Sequence, residues 1–298
     1  MCYILRAFKN LRNMKNQCRI CGRSKGTFLL EKTRGTFKSA WVLCAHCKSA
    51  HIDPYPTEEE LMNYYNSSYT EMDLSGGMDT GVNHKLRFSE GYRLNVFREY
   101  SYSLADVGCE PSKLMKSGDI LDYGCANGVF LDFLSAEGVP KEKLHGFDVG
   151  TDMISIASKK GYKCTTNTKE LLNGKYSLIT LWDVLEHVLY PKEVVKHIKS
   201  LLKKNGDVVI QTPRFDELAI LLKEAFAHYL AVEHLHLFSR NALLTLFENE
   251  GFECIAQSSF GANAYKKYVP EPYKTAYDRL AKKYDFGATQ VLHFRLTN

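Results

Sequence analysis

Apolar and polar positions along this chain change rhythm part-way. Thr27-Phe28-Leu29-Leu30 and Ala40-Trp41-Val42-Leu43 are short runs rich in β-forming residues and predict two strands near the amino end. Pro54, Pro56 and Thr57-Glu58-Glu59-Glu60 predict a turn and a short helix ending near Tyr65, and the glycine-rich, small polar stretch 66–83 predicts a loop or lid. From His84 to Ala105, Leu86, Phe88, Tyr92, Val96, Phe97 and Tyr100 keep a mostly helical spacing. Beyond residue 118 strand and helix signals alternate, the pattern of an α/β parallel sheet. Strands are predicted at 119–123, 144–149, 162–165, 176–182 and 207–212, with helices over 127–137, 151–160 and from Pro191 through Val194, Val195, Ile198, Leu201 and Leu202. Asn205-Gly206 is expected to close that last helix with a residue at positive φ. Ser239 is the expected N-cap of a helix over 242–250, Gly251 its stop, and strands at 252–257 and 289–296 bracket a helix over 272–284.

Composition adds limits. A chain of 298 residues that is 45% apolar and 24% charged can bury a core, and its length suits one large unit with a smaller one. No window approaches ~18 uncharged apolar residues, so no transmembrane segment is expected. The net charge of +5 averages unlike parts: residues 1–52 hold eleven Lys and Arg against Glu31 alone, whereas the remainder has five more acids than bases. A basic module precedes an acidic body.

Nine cysteines make an odd number for a disulfide framework, and Met1 to Gln17 lacks the apolar run of a signal peptide. A cytoplasmic, reducing setting is therefore expected, in which clustered cysteines read as metal ligands. Cys18-x2-Cys21 and Cys44-x2-Cys47, separated by 22 residues, predict four thiolates around a structural Zn²⁺, with Gly22 giving the first knuckle its turn. His46 or His51 could replace a thiolate, but four cysteines already fill a closed site. The bound ion would bring the module to about +8. Cys2, Cys109, Cys125, Cys164 and Cys254 stand apart and read as packing residues. Residues 1–17 read as a solvated basic leader, with an amphipathic helix through Leu5, Phe8 and Leu11 as the alternative.

Asp122-Tyr123-Gly124-Cys125-Ala126-Asn127-Gly128 lies where a predicted strand becomes a helix. Small residues at 124, 126 and 128 let the backbone pass close to a ligand beside free helix N–H groups. Twenty residues after Gly128, Asp148 ends the next strand, where a carboxylate can take both hydroxyls of a nucleoside ribose.

Over roughly residues 85–298 the chain resembles the class I S-adenosylmethionine-dependent methyltransferases. The matching tracts are ILDYGCANG, GFDV, SLITLWDVLEHVLYPKEVV, LLKKNGDVVIQTP and EHLHLFSRNALLTLFENEGF. The resemblance implies a Rossmann-like α/β sheet of seven strands, the last antiparallel, carrying a small N-terminal zinc ribbon. It implies that Gly124, Cys125, Ala126, Asn127 and Gly128 face the methionine part of the cofactor and Asp148 its ribose, with Asp122 and Val149 also in the cofactor site, and that Trp182 and Asp183 lie where cofactor meets substrate. Ala126 departs from the glycine often found there. The acidic residue often found after the third strand to read the adenine is missing, which leaves Asn167 or Thr168 for that role. The implied division is a leader (1–17), ribbon (18–52), linker with lid and N-terminal helices (53–105) and transferase (106–298).

A sulfonium methyl is already activated, so the enzyme mainly aligns the nucleophile. A hydroxyl or carbon acid also needs a base, and histidine suits neutral pH. His187, His234 and His236 stand in the matching tracts, and a hydrogen-bonded structural histidine is the alternative for each. His234, beside Glu233, is the preferred base, because sugar C-methyltransferases with a similar zinc ribbon use a matching Glu-His pair. The ribbon followed by DPYPTEEELMNYY resembles zinc-ribbon methyltransferases of glycan and natural-product pathways. The expectation is therefore O-methylation of a small-molecule or sugar acceptor. Two alternatives stand beside it: an RNA methyltransferase gripping phosphates with its basic ribbon, and a silent cofactor-binding scaffold.

Overall fold

Continuous apolar runs in the central strands reflect a sheet covered on both faces. The computed structural model describes residues 12–13, 17–34, 37–64, 90–114, 118–230, 233–261 and 273–297. The predicted lid 66–83 and most of the leader lie outside the described residues.

Strands β1 (Arg12–Asn13), β2 (Lys25–Arg34), β3 (Phe37–Cys44) and β4 (Ala50–Asp53) form an antiparallel sheet in that order. At Arg12–Asn13 the leader is thus extended rather than helical. Strands β5 (Asp119–Tyr123), β6 (Leu144–Phe147), β7 (Lys163–Thr165), β8 (Tyr176–Trp182) and β9 (Leu202–Pro213) begin a second sheet. β10 (His236–Leu237) returns to the first sheet and pairs antiparallel with β4, His236 opposite His51 and Leu237 opposite Ala50. β11 (Phe252–Phe260) and β12 (Thr289–Leu296) complete the second sheet, whose order is β11-β12-β9-β8-β5-β6-β7. β12 runs antiparallel to both its neighbours, and β5 to β9 are mutually parallel. This is the seven-stranded α/β arrangement the sequence implied.

The helices are α1 (Glu58–Asn63), α2 (Glu90–Asp106), α3 (Pro111–Leu114), α4 (Val129–Ala136), α5 (Thr151–Lys159), α6 (Pro191–Leu201), α7 (Glu217–Leu222), α8 (Arg240–Glu248) and α9 (Tyr273–Tyr284). Thr57 caps α1 through a reciprocal bond with Glu60, and Ser239 caps α8 through Ala242 N–H. Neighbouring residues of each central strand enter opposite cores. Leu121, Ile179 and Val208 join Val195, Ile198 and Leu201 of α6 and Phe247 of α8. Ile120, Leu178 and Val209 join Phe130 and Phe133 of α4 and Leu104 of α2. α6 ends at Leu201, earlier than Asn205-Gly206 suggested. Leu202 already pairs with Tyr176, and Asn205 spends its positive φ of 59° in a bulge before Asp207 pairs with Leu178.

The ribbon sheet is built into the larger body. Trp41 is fully buried and meets Tyr229 edge-on at 5.3 Å, and Leu237 and Ile52 lie in the same core. Truncating Leu237 removes buried contacts from both sides of this seam, so Leu237→Ala should cost about 2–5 kcal/mol. Urea unfolding should show the loss in one transition shared by ribbon and body; a separate early ribbon transition in the wild type would refute the shared core.

Candidate active site

The carboxyl ends of β5, β6, β8 and β9 meet at one edge, where the strand order reverses between β5 and β8 and a crevice opens. Gly124 N–H and Cys125 N–H both donate to Phe147 O of β6, at 2.7 and 2.9 Å, which turns the chain sharply after β5. Gly124, Ala126 and Gly128 take φ of 89°, 44° and 82°. A side chain on Gly124 would collide with Val184, so glycine is required by both conformation and space. Lys160 Nζ donates to Asn127 O (2.8 Å) and to Asp132 (2.6 Å), pinning the far end of the loop.

Asp148 Oδ2 accepts from Ala126 N–H (2.9 Å) and Oδ1 from Gly150 N–H (2.8 Å), so the second strand's acid is tied to the loop itself. Burial raises its carboxyl above the usual range against those bonds. Val149 beside it is exposed. Asp122 sits beneath the loop, buried, accepting from Thr180 Oγ1 at 2.8 Å. Cys125 and Cys164, far apart in sequence, both crowd the space over Gly146 of β6. Asn167 caps the short turn Thr168–Glu170 through Lys169 N–H, and Glu170 accepts from Thr165 Oγ1.

Trp182 is buried among Tyr100 and Phe130, at 4.9 and 5.0 Å between centroids. Asp183 takes a positive φ of 52°. Partial desolvation by the surrounding protein raises its carboxyl to about 6, against a bond from Gln211 Nε2 and with the charge of Glu99 adding to the rise. Gln211 also receives Ser103 Oγ of α2 at 3.3 Å. Glu99 belongs to no motif and Gln211 stands in the quoted tract LLKKNGDVVIQTP without an expected role; folding brings both to Asp183.

The two histidine tracts converge one turn further on. His187 and His234 lie 4.8 Å apart, ring to ring. His187 Nδ1 donates to Glu233 O (2.6 Å), and His234 Nδ1 donates to His228 O (2.8 Å), since carbonyl oxygens only accept. Glu233 and His234 are buried, as is Glu186, whose Oε2 accepts from Thr212 Oγ1 at 3.0 Å. Burial raises the Glu186 carboxyl well above its usual value and lowers His187. His236 is buried differently, bonded to Val188 O and Tyr55 OH in the ribbon seam.

The four predicted metal ligands also converge. Cys18 and Cys47 sulfurs lie 3.8 Å apart, Cys21 and Cys44 sulfurs 3.5 Å apart, all within 4.8 Å of one another. Four thiolates at ~2.3 Å around one ion would stand ~3.8 Å from each other. Each knuckle turns alike: Gly22 N–H donates to Cys18 O and Lys48 N–H to Cys44 O, with Gly22 and Lys48 at φ of 77° and 59°. A separate groove of about 1620 Å³ runs between the second knuckle, α7 and α8; Lys48, Lys192 and Lys196 share its walls with Asp216, Glu217 and Glu250. Its charge is mixed.

A family model described as "Methyltransferase domain" matches residues 92–257. The ubiquinone biosynthesis O-methyltransferase of Erwinia tasmaniensis is 25% identical over 121 residues, covering 37% of this chain and 49% of that protein. That of Sodalis glossinidius is 26% identical, with 37% and 47% covered. The chain thus spans about half the length of the curated relatives it matches. Magnesium protoporphyrin IX methyltransferase from Synechocystis PCC 6803, solved with bound SAH, superposes with a TM-score of 0.53 at 15% identity, over 80% of this chain and 99% of that one. A SAM-dependent methyltransferase from Archaeoglobus fulgidus gives 0.50 at 18% identity, over 68% and 94%.

Asp122 offers a test of the crevice floor. Burial, with the charge of Asp148 adding, pushes its carboxyl up to about 7 from 3.8. The folded state therefore holds this proton more tightly than the unfolded chain, so its contribution to stability declines as pH rises from about 4 to about 7 and is level above that. Asp122→Asn should flatten that decline in denaturant midpoints measured across this range; profiles that run parallel would show that Asp122 does not titrate there.

Proposed function

The chain belongs to the methyltransferase-domain family, and from that premise we propose that it moves the methyl group of S-adenosylmethionine to a hydroxyl oxygen of a small-molecule or sugar acceptor. Bound S-adenosylmethionine would supply a methyl carried on a positively charged sulfur. The loop Gly124–Gly128 fits the methionine portion, because its small residues at positive φ keep the backbone open to a ligand where β5 turns toward α4. Asp148, anchored by two main-chain N–H groups, fits the ribose hydroxyls. Val149 flanks the adenosine side, and Asn167 and Thr168 stand at the β7 end where the adenine edge would be read. Trp182, packed against Tyr100 and Phe130, is the apolar wall, and Asp183 faces the reacting end.

The observation that carries the acceptor reading is the histidine pair at this same edge. Carbonyl bonds hold the proton of each ring on Nδ1, so each Nε2 keeps its lone pair in the neutral ring. A hydroxyl acceptor loses its proton at this pair, His234 being the simplest recipient, with Glu233 and His187 holding its position. The acceptor oxygen forms the new O–C bond as the C–S bond breaks, and that electron pair stays on sulfur. The relatives named as O-methyltransferases support an oxygen acceptor.

The ribbon, residues 18–52, is in this reading a platform stapled by one Zn²⁺ on Cys18, Cys21, Cys44 and Cys47. Metal analysis should find one zinc per chain. Cys21→Ser should lose it and lower thermal stability, and full zinc content in that variant would exclude this ligand set. Labelled cofactor supplied with phenolic and sugar hydroxyl acceptors should give methyl ethers. His234→Ala should lower kcat by about 10²–10⁴-fold while cofactor affinity holds; an unchanged kcat would remove His234 from the chemistry.

A further inference from the structure

The histidine pair has a third partner that proton transfer does not use. One donor atom from each of Glu186, His187 and His234 lies within 4.8 Å of the other two. Glu186 is fully buried, and its Oε1 has no hydrogen-bond partner among the described residues while standing 3.9 Å from His187 Nε2. A buried carboxyl oxygen without a partner is costly unless a proton or a cation meets it, and an entering cation would displace the proton that burial favours. The remaining carboxylate oxygen is oriented by Thr212, and both imidazoles are oriented by carbonyl oxygens at Nδ1. Carbonyl and hydroxyl contacts of this kind fix the tautomer and aim of histidines and carboxylates that bind metals.

We propose that Glu186, His187 and His234 bind a divalent first-row transition cation, which activates the acceptor hydroxyl by coordination. Two imidazoles and one carboxylate suit such ions and leave coordination positions open to a substrate, unlike the four thiolates of the ribbon. Donor atoms sharing one ion stand ~3.0–3.4 Å apart, so the 3.9 Å pair closes by a small rotation of the side chains as the ion enters. The carboxylate of Asp183 bears electrostatically on Glu186, placing the cluster next to the reacting end of the crevice. For its purpose the inference rests on the O-methyl-transfer reading. With the ion present, the hydroxyl proton leaves to solvent water, the oxygen takes the methyl carbon, and the C–S pair remains on sulfur. The histidine lone pairs then serve the cation instead of the proton.

Manganese binding to the full chain, measured by electron paramagnetic resonance after a weak chelator that leaves the ribbon's thiolate zinc in place, tests this without turnover. One Mn²⁺ per chain should bind with a dissociation constant below about 1 mM. Glu186→Gln and His187→Gln should each weaken binding at least tenfold. Thr212→Val, which leaves all three donors in place, should weaken it about 10–100-fold. His197→Gln, outside the cluster, should leave it unchanged. Cofactor binding checks that each variant is folded. Absence of bound Mn²⁺ in folded wild type, or equal binding in Glu186→Gln, overturns the site. Full methyl transfer in the presence of the chelator, with no Mn²⁺ bound, removes the metal and keeps the O-methyl reading. Bound Mn²⁺ with the expected variant losses, but no label in any hydroxyl acceptor, keeps the site and removes that reading.

Discussion

Leu235 is held by its backbone on two sides. Ile52 N–H of the ribbon donates to its carbonyl at 3.1 Å, and its own N–H donates to Glu186 O at 2.8 Å. Those two bonds set where the carbonyl of Glu233 meets His187 and where the ring of His234 points. The other end of the segment is tied as firmly: Ser239 Oγ donates to Cys47 O, and Ser49 Oγ receives Ser239 N–H. Residues 233–239 are thus clamped between the second knuckle and the turn after β8. A closed metal site in the ribbon would act on the chemistry only mechanically, by keeping that clamp stiff.

Many titratable groups around the crevice and this segment are drawn toward their neutral forms. Asp122, Asp183 and Glu186 are raised, and His187, His228 and His236 are lowered, with burial the leading cause in every case. In such an environment water screens poorly, so charges act strongly on one another and on a ligand. A cationic sulfur approaching Asp183 and Glu99 would be felt there more than at an open surface. Transfer of its methyl removes that positive charge, so the product would be held less tightly than the cofactor by the same carboxylates.

Much of this was legible in the residues. Periodicity located β5, β8 and β12 to the residue, β5 and β8 because their apolar runs end abruptly at glycine, aspartate or lysine. The knuckles were legible because cysteine pairs at that spacing have few other uses. The end of α6 was misjudged, since Asn205 signals positive φ without saying whether a helix or a strand bulge uses it. Cys125 and Cys164 read as unrelated packing residues, yet β5 and β7 flank β6 and the missing side chain of Gly146 lets both sulfurs into one space. His228, in a turn, and Glu99 carry no local signal, and Gln211 reads in its tract only as a strand residue.

The sequence by itself determined the alternation of strands and helices, the glycine turn after β5 with its acidic partner, and the two thiol pairs. All of these rest on residue types at fixed spacings along the chain. Only the tertiary structure decided that the ribbon's last strand pairs with the tract containing His236, and so brings His234 against His187 and Glu186. The reason is that a two-residue strand has no pattern to read. Its place is fixed by the unsatisfied edge of β4 and by the core that Leu237, Ile52 and Trp41 bury together.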